Sequence, residues 1–558
     1  MKAEQGNISD PVAISDTSFF DREVSWLRMD GQRARWIVWA FLSALVVYLV
    51  VVGKLATGPV NVFHPDALAF LDDGWRVLHG QVPHRDFYSP LGPLEFWMIA
   101  AGMLFAHGGT QGIAISIAAF GFLTGTWGWF LARRRMLPLF ALLITGWLVL
   151  TAASPTPLGF DPRFLSCAMI YNRQGYALLG IILVECAFSQ ERSRFWGGVS
   201  SGVALVLLAF LKLNFFGVAG LVLLTSVPLT RTELRRLWGF LTGATMTLIG
   251  FVLYPGFSIS AFYSDMSFVK QARGSVLSLA GTLHGIGTCA KSGSVWLVVA
   301  MTVAAVVMIA PRERRRREFW TLTLLSLVVL ASGPFFLQTN SMENSCQLAS
   351  LWIIILVERM TAIHPRMKEK SVTVVLIALS LGAVAASMAS DSASALSLIS
   401  FEPATEEASA SRIAAPGMER LLFYNTNTVY DSDRKGGDGD GSYYVDAVND
   451  GLALLNQQST PQESILVLGF QNPFTYLLRR KPAEGGSAFL DVGKSISSTH
   501  MPAVDRVFGN ADLMMLPDYD SSHRASDLFV ENYYHAYLLE NFQLVGRSQR
   551  WLLYRRNE

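Results

Sequence analysis

Charged residues are scarce in this chain, and their scarcity indicates which class of protein it belongs to. Only 16% of the 558 residues are charged, whereas 51% are hydrophobic, and the mean hydropathy is +0.35. A soluble protein needs more charge to cover its surface, since about 25% of the residues of an average globular domain are charged. The net charge of +2 is too small to indicate nucleic-acid binding. The composition therefore predicts a membrane protein.

Metal-binding and nucleotide-binding motifs are also lacking. No Walker-type or GxGxxG loop is present, so nucleotide binding is not indicated. Residues 1–33 are polar, and we expect no signal peptide before the first apolar run. A disulfide between Cys289 and Cys346 is possible, because both residues fall in predicted outer loops. The cysteines have no CxxC or other metal-ligand spacing; they are Cys167, Cys186, Cys289 and Cys346.

The chain has instead a series of separated apolar runs, each about long enough to cross a bilayer, roughly 20 residues. A shorter apolar segment covers residues 93–107. The longer runs lie near residues 36–56, 110–131, 136–153, 174–188, 195–211, 215–230, 237–254, 294–310, 319–337, 347–362 and 371–390.

Arginine and lysine clusters between the runs predict which loops face the cytoplasm, where these residues are enriched. Arg33 and Arg35 place the N-terminal segment, residues 1–33, inside. If residues 93–107 crossed the bilayer, every later cluster would face outside, whereas an interfacial position keeps them all inside. We therefore predict about eleven spanning helices and an outer C-terminal part. The later clusters are Arg133–Arg135, Arg192 and Arg194, Arg231, Arg235 and Arg236, Arg312–Arg317, and Arg366, Lys368 and Lys370.

The composition changes after the last run. Residues 391–412 are rich in serine and alanine and predict a linker. Residues 413–558 predict an α/β domain, with strands at 464–470 and 511–516, a short helix at 473–480, and a closing hairpin of 542–545 and 551–554. The glycine-rich acidic stretch Asp438–Gly441 lacks the distal glutamate of a calcium loop and favours a solvated turn. The predicted fold is therefore mainly α, a polytopic membrane domain over 34–390 followed by an extracytoplasmic α/β domain.

The first outer loop, residues 57–109, carries the most informative pattern. Apolar side chains from Ala67 to Val77 recur with helical spacing, which predicts an amphipathic helix at the membrane surface that ends at Gly80. Asp66 lies near the helix start, where the helix dipole favours an ionised carboxylate. Such a carboxylate can act as a general base toward a hydroxyl or an amine. The alternative is that Asp66 only stabilises the helix N-terminus.

Asp66 and its helix are followed by residues 80–83 (GQVP), by Asp86-Phe87 and by a PLGPL run (residues 90–94) that enters an aromatic-rich apolar segment. With these pieces the loop resembles the first outer loop of GT-C glycosyltransferases, membrane enzymes that take sugars from polyprenyl-phosphate carriers. They include protein O-mannosyltransferases and lipid A aminoarabinose transferases. The resemblance implies an interfacial helix at residues 93–107 and Asp66 as the catalytic base. Many members have Asp-Glu where this chain has Asp66-Ala67, so a second acid or a metal ligand is not implied there.

Further polar residues on the predicted outer face are candidates for substrate binding. A cation near the bilayer is costly without a partner, and a lipid phosphate provides one. The resemblance adds that relatives often have a lysine in the hairpin at residues 210–217 and a second acid near residue 172, for which Asp161 is the available substitute. Structural roles are the alternative for each: loop hydrogen bonds, ion pairs or interfacial anchoring. The candidates are Asp86, Tyr88, Asp161, Asn172, Arg173, Lys212, Asn214, Lys270, Arg273 and Asn340.

These features predict an inverting sugar transfer from a polyprenyl-phosphate carrier to an envelope lipid, glycan or protein. We expect this reaction at the periplasmic face of a bacterial inner membrane, with no cofactor and no nucleic-acid partner. Whether it uses a divalent metal is left open by the sequence. A secondary transporter is one alternative, although its internal repeats and broken helices are not evident. A polymerase or ligase of lipid-linked glycans is another, although it would place its main residues in a later large loop.

Overall fold

Helices form most of the chain. The computed structural model describes residues 32–188, 194–226, 234–274, 278–309, 316–340, 346–363, 371–400, 410–424, 441–521 and 523–558. The predicted turn at Asp438–Gly441 lies outside these ranges, apart from its last residue. The helices before the first strand are α1 (Gln32–Leu55), α2 (His64–Leu78), α3 (Pro93–Phe105), α4 (Gly112–Ala132), α5 (Pro138–Ala152), α6 (Ile170–Ala187), α7 (Arg194–Leu211), α8 (Leu213–Ser226), α9 (Leu234–Val252), α10 (Ile259–Arg273), α11 (Leu279–Cys289), α12 (Gly293–Ile309), α13 (Arg316–Asn340), α14 (Gln347–Ile363) and α15 (Ser371–Ser400).

Every apolar run of the sequence forms a helix, but the helices differ in length. Within the described ranges, length and composition alone qualify four as membrane spans: Arg35–Leu55, Gly112–Ala132, Arg194–Leu211 and Trp320–Thr339. Helices α11 and α12 form a pair bent by 86° that would add a fifth. The count of about eleven spans stays a prediction for the other helices.

Helices α7 and α9 pack closely through glycines, as membrane helices commonly do. A Cβ added at Gly202 would come within 2.3 Å of the Phe240 carbonyl oxygen, and one at Gly243 within 2.3 Å of the Val199 carbonyl oxygen. Only glycine permits this approach. In lipid, apolar side chains alone give little driving force for helices to associate. The small residues therefore matter here, because they let the two backbones come into contact.

The first outer loop forms two helices, as predicted. Helix α3 has 13 residues, and at about 1.5 Å per residue it is about 20 Å long, short of the roughly 30 Å hydrocarbon core. Helix α2 differs from a helix lying on the membrane surface, because it is buried on most sides. Asp72 and Asp73 are each only 3% exposed. Asp72 accepts hydrogen bonds from Arg76, at 2.9 Å, and from the backbone of Tyr476, so it faces the C-terminal part of the chain.

Helices appear where the sequence predicted none. Helix α15 continues through residue 400, so the first part of the predicted linker is helical. Alanine is the best helix former, and Ser394 and Ser397 donate their hydroxyls to the carbonyls of Asp391, at 2.8 Å, and Ala393, at 3.1 Å. Helices α10 and α11 also fill the predicted loop after the seventh run, each begun by a serine that caps its N-terminus.

The C-terminal part contains the predicted strands. Strand β3 (Ile465–Val467) pairs parallel with β4 (Leu513–Pro517), and β5 (Phe542–Arg547) with β6 (Trp551–Arg556) forms the expected antiparallel hairpin, in the sheet order β3-β4-β6-β5. A second pair is β1 (Ala410–Arg412) with β2 (Leu422–Tyr424). The helices here are α16 (Gly441–Gln458), α17 (Phe474–Leu477), α18 (Val504–Phe508) and α19 (Arg524–Asn541).

This C-terminal part shares a hydrophobic core with the first outer loop. One continuous cluster of buried side chains includes Leu49 of α1, Phe70 of α2, Tyr444 of α16 and Trp551 of β6. Polar contacts add to it, since Trp75 donates its indole N–H to the Arg480 carbonyl at 2.9 Å. The predicted domain boundary at residue 413 is therefore crossed by packing, and α2 lies between the membrane helices and the sheet.

Candidate active site

Asp66 lies in the first turn of α2 and is half-buried. Burial raises its pKa to about 7, Lys494 lowers it by electrostatic attraction, and Asp491 raises it. Loss of hydration therefore opposes the helix dipole, which was expected to keep this carboxylate ionised. A carboxylate that titrates near neutral pH is suited to general base catalysis.

A turn of the C-terminal part supplies the charges next to Asp66. Lys494 Nζ lies 2.7 Å from Asp491 Oδ2, and Asp491 Oδ1 accepts a hydrogen bond of 3.0 Å from Ser526. Asp491 and Lys494 belong to no motif, and the sequence analysis missed both. Only tertiary packing reveals them, because they lie far from Asp66 along the chain.

Lys212 occupies the break between α7 and α8. Its Nζ donates to Asn172 Oδ1 at 2.8 Å and lies 4.5 Å from the ring centroid of Tyr171. Within the described part of the chain, the Nδ2 of Asn172 is buried and has no hydrogen-bond partner. Tyr171 contacts Phe70, one turn after Asp66 on α2, with ring centroids 6.4 Å apart. Two of the predicted residues, Asn172 and Lys212, are therefore brought together beside the helix that carries Asp66.

Arg273 completes the cationic side of the site. Its Nε donates to the Lys494 carbonyl at 2.9 Å and its Nη1 to the Thr339 carbonyl at 3.3 Å. Asn214 Nδ2 donates to Thr339 Oγ1 at 3.0 Å. These contacts, together with the electrostatic influence of Lys494 and Asp491 on Asp66, define a group of residues that we call the outer ring. Its members are Asp66, Phe70, Tyr171, Asn172, Lys212, Asn214, Arg273, Thr339, Asp491 and Lys494.

Arg173 points away from this ring and into the protein. It is fully buried, and it donates to the carbonyls of Ser154 at 2.6 Å, Ser166 at 3.1 Å and Ala168 at 2.5 Å. These bonds attach the second outer loop to the start of α6. They favour the structural alternative over the predicted phosphate contact.

Three more predicted residues have structural contacts. Asp86 Oδ2 accepts from the Val82 N–H at 2.7 Å, which closes a turn of the first loop. Tyr88 donates to the Ser495 carbonyl at 2.6 Å and so holds the turn that carries Lys494. Asp161 forms an exposed ion pair with Arg163, 2.8 Å apart, which lowers the pKa of Asp161 to about 2. Its side chain is thus a poor proton acceptor near neutral pH.

The remaining candidates are peripheral. Lys270 is exposed on α10. Asn340 ends α13, and its side chain lies outside the described part of the structure. The thiols of Cys289 and Cys346 are close enough for a hydrogen bond. Among the residues that the structure describes, His, Cys, Asp and Glu side chains form no group of three able to hold a metal ion.

Glu95 of α3 is a buried acid that the sequence analysis missed. Neither carboxylate oxygen has a hydrogen-bond partner within the described ranges. Burial raises its pKa to about 8, partly offset by the nearby charge of Arg173. Its pKa is therefore raised by the same cause as that of Asp66, the loss of hydration.

Comparison with known proteins yields a distant structural likeness. Neither a family model nor a curated protein matches the sequence. ArnT from Cupriavidus metallidurans bound to undecaprenyl phosphate is 13% identical, with a TM-score of 0.41, over 94% of this chain and 98% of that one. The same protein in the apo state is 14% identical, with a TM-score of 0.36 over the same shares. Both belong to the family that the first outer loop resembles, but TM-scores this low carry no inference about the chemistry of this chain.

Proposed function

We propose that the chain is a membrane glycosyltransferase that moves a sugar from a polyprenyl-phosphate carrier to an envelope acceptor. The outer ring carries this proposal. It groups a carboxylate whose pKa is about 7 with three cations, Lys212, Arg273 and Lys494. Lys494 acts on Asp66 electrostatically, Arg273 donates to the Lys494 carbonyl, and Lys212 lies against Tyr171, which contacts Phe70 one turn after Asp66. The carboxylate can take a proton from the acceptor, and the three cations can bind the phosphate that departs with the carrier.

In the proposed reaction, Asp66 takes the proton of the acceptor O–H or N–H group. The freed electron pair attacks the anomeric carbon, and the bond from that carbon to the phosphate oxygen breaks. Its electrons stay with the polyprenyl phosphate, whose charge Lys212, Arg273 and the Asn172 amide stabilise. A single displacement inverts the anomeric carbon. No step calls for a metal ion.

The membrane placement is part of the proposal, and two clusters at opposite helix ends support it. Asn172 begins α6 and Lys212 follows α7, whereas Glu185 lies at the other end of α6. There Glu185 pairs with Arg135, and its carbonyl accepts from Arg236 at 3.5 Å. Arg135 and Arg236, from two of the clusters expected to face the cytoplasm, thus lie together at the end of α6 away from the outer ring. This arrangement fits an active site at the periplasmic face of an inner membrane, with the carrier tail among the spans.

The test is sugar transfer by purified protein in liposomes containing an undecaprenyl-phosphate-linked sugar. Asp66→Asn should abolish transfer, because the amide cannot accept the proton. Binding of undecaprenyl phosphate should persist, since the cations are intact. Full transfer by this variant would refute the assignment of the base, and absence of carrier binding by the unmodified protein would refute the proposed function.

The bent pair α11–α12 is one observation that favours the transporter alternative, because transporters often contain broken helices. Uptake of a metabolite by vesicles that lack any polyprenyl donor would support that alternative. The outer ring lies at helix ends, however, whereas transporter sites lie near the bilayer midplane.

A further inference from the structure

A depression opens at the carboxyl ends of the two parallel strands β3 and β4. It encloses about 370 Å³, part of it open to solvent, and its wall includes Val467 at the end of β3 and Pro517 at the end of β4. Ligands of α/β sheets commonly bind at this end of the strands. We call it the sheet-end pocket.

Aromatic rings form much of its wall. Tyr519 and Trp551 have ring centroids 5.5 Å apart, and Phe470 stacks on His523 with centroids 3.6 Å apart and planes 6° from parallel. The faces of such rings are electron-rich and attract the C–H groups of a sugar ring. A shallow depression suits a ring that stacks on its wall better than a ligand that must be enclosed.

Polar groups stand beside the rings. Gln471 donates a hydrogen bond from its Nε2 to the Tyr444 hydroxyl at 2.6 Å, so its Oε1 does not bond to Tyr444. That Oε1 is buried and has no hydrogen-bond partner in the described part of the chain, which is unusual for a buried acceptor. Ser521 and Asp527, bonded to each other at 2.7 Å, also line the pocket. Amide and hydroxyl groups beside aromatic faces are suited to the hydroxyls of a sugar.

The pocket adjoins the outer ring. Pro65 forms part of its wall and immediately precedes Asp66. Phe470 contacts Phe489 at 5.4 Å between centroids, and Phe489 contacts Phe70 at 5.9 Å. Asp527 in the pocket follows Ser526, which holds Asp491 of the outer ring.

We propose that the sheet-end pocket binds a sugar unit of the acceptor. The proposal rests on the proposed function and narrows the acceptor to a glycan or a glycolipid with a sugar headgroup. The cations assigned to the donor phosphate, Lys212 and Arg273, belong to α8, α10 and their neighbours, whereas the pocket lies on the C-terminal sheet beyond Asp66. A sugar held there lies beside the residue that precedes Asp66, Pro65.

Saturation-transfer NMR on the full chain in lipid nanodiscs, free of sugar detergents, tests this proposal. The probes are methyl glucoside, methyl galactoside and N-acetylglucosamine, with glycerol as the non-cyclic control. Tyr519→Ala should weaken binding of at least one sugar by roughly threefold to tenfold, because it removes a stacking face. Tyr519→Trp should restore binding. The matched control is Tyr533→Ala on α19, whose side chain is 54% exposed and away from the pocket.

Unchanged sugar signals in Tyr519→Ala, or no saturation transfer to any sugar by the unmodified protein, would overturn the proposal. Binding of undecaprenyl phosphate by the unmodified protein is measured in the same samples. Carrier binding without sugar binding refutes the pocket alone, whereas absence of carrier binding refutes the proposed function.

Discussion

At the scale of single residues, the chemistry depends on opposing effects at Asp66. Burial favours its protonated form, while Lys494 favours the ionised form. The result is a pKa of about 7, so the carboxylate is about half ionised at neutral pH and can release to water the proton that it takes from the acceptor. Glu95, also buried, has a pKa of about 8, with Arg173 as its nearby charge. In both residues burial raises the pKa and a nearby cation lowers it.

The pH dependence of transfer follows from the pKa of Asp66. The base works ionised, so kcat/KM should fall about tenfold per pH unit below the pKa and level off above it. Lys494→Met removes the charge that lowers the pKa, so the midpoint should move to higher pH. Asp491→Asn removes the charge that raises it, so the midpoint should move to lower pH.

The matched control for this profile is Lys481→Met, an exposed lysine of the same C-terminal part. It should leave the midpoint where it is. Midpoint shifts of the same sign in Lys494→Met and Asp491→Asn would contradict the electrostatic account.

Two lysines on the predicted outer face should differ in their effect on carrier binding. Lys212→Met should raise the Kd for undecaprenyl phosphate by roughly tenfold to a hundredfold, since a hydrogen bond to a charged group contributes about 1.5–3 kcal/mol. Lys270→Met should leave Kd nearly unchanged, because that lysine is exposed and outside the outer ring. Equal losses in both variants would indicate general attraction of the lipid to a positive surface.

At the scale of elements, hydrogen bonds from α2 and from the residues that follow it attach the first outer loop to the C-terminal part. The Nη1 of Arg76 in α2 donates to the carbonyls of Ala483, at 3.3 Å, and Gly485, at 3.0 Å. Gln81 donates to the carbonyl of Ala483 at 2.7 Å. Asp66 therefore lies on a helix fixed by the C-terminal part, and catalytic groups need such rigid support to keep their geometry.

The second outer loop depends on Arg173 in the same way. Arg173→Met should destabilise the protein by at least about 3 kcal/mol, since three buried carbonyls lose a donor and each costs about 1–3 kcal/mol. Arg163→Met, which removes the exposed partner of Asp161, should cost at most about 1 kcal/mol. Thermal unfolding of both variants in the same detergent gives the comparison. A smaller loss in Arg173→Met than in Arg163→Met would restore the view of Arg173 as a ligand-binding residue.

At the scale of the whole molecule, the charge distribution defines two ends. The arginines between α4 and α5 and at the start of α9 meet Glu185 at one end, and the outer ring lies at the other. The hydrophobic core continues from α1 into the C-terminal sheet. The C-terminal sheet and the outer ring should therefore lie on the same side of the membrane.

Cysteine labelling of intact cells tests this orientation. With the native cysteines replaced by serine, Arg134→Cys in the exposed α4–α5 loop should resist a membrane-impermeant maleimide until the cells are opened. Ala536→Cys, exposed on α19, should react in intact cells once the outer membrane is permeabilised. Labelling of the two positions in the reverse order would contradict the orientation and, with it, the periplasmic site.

The sequence by itself determined the helices of the apolar runs and of the first outer loop, because hydrophobicity and its periodicity are local signals that membrane packing preserves. It also singled out Asp66, and it predicted the strands from β3 to β6. Only the tertiary structure decided the rest. Arg173 is buried because backbone carbonyls of the folded second loop accept its hydrogen bonds. Lys494 acts electrostatically on Asp66 because the C-terminal part packs on α2. Burial, which no single residue encodes, reversed the expected shift of the Asp66 pKa.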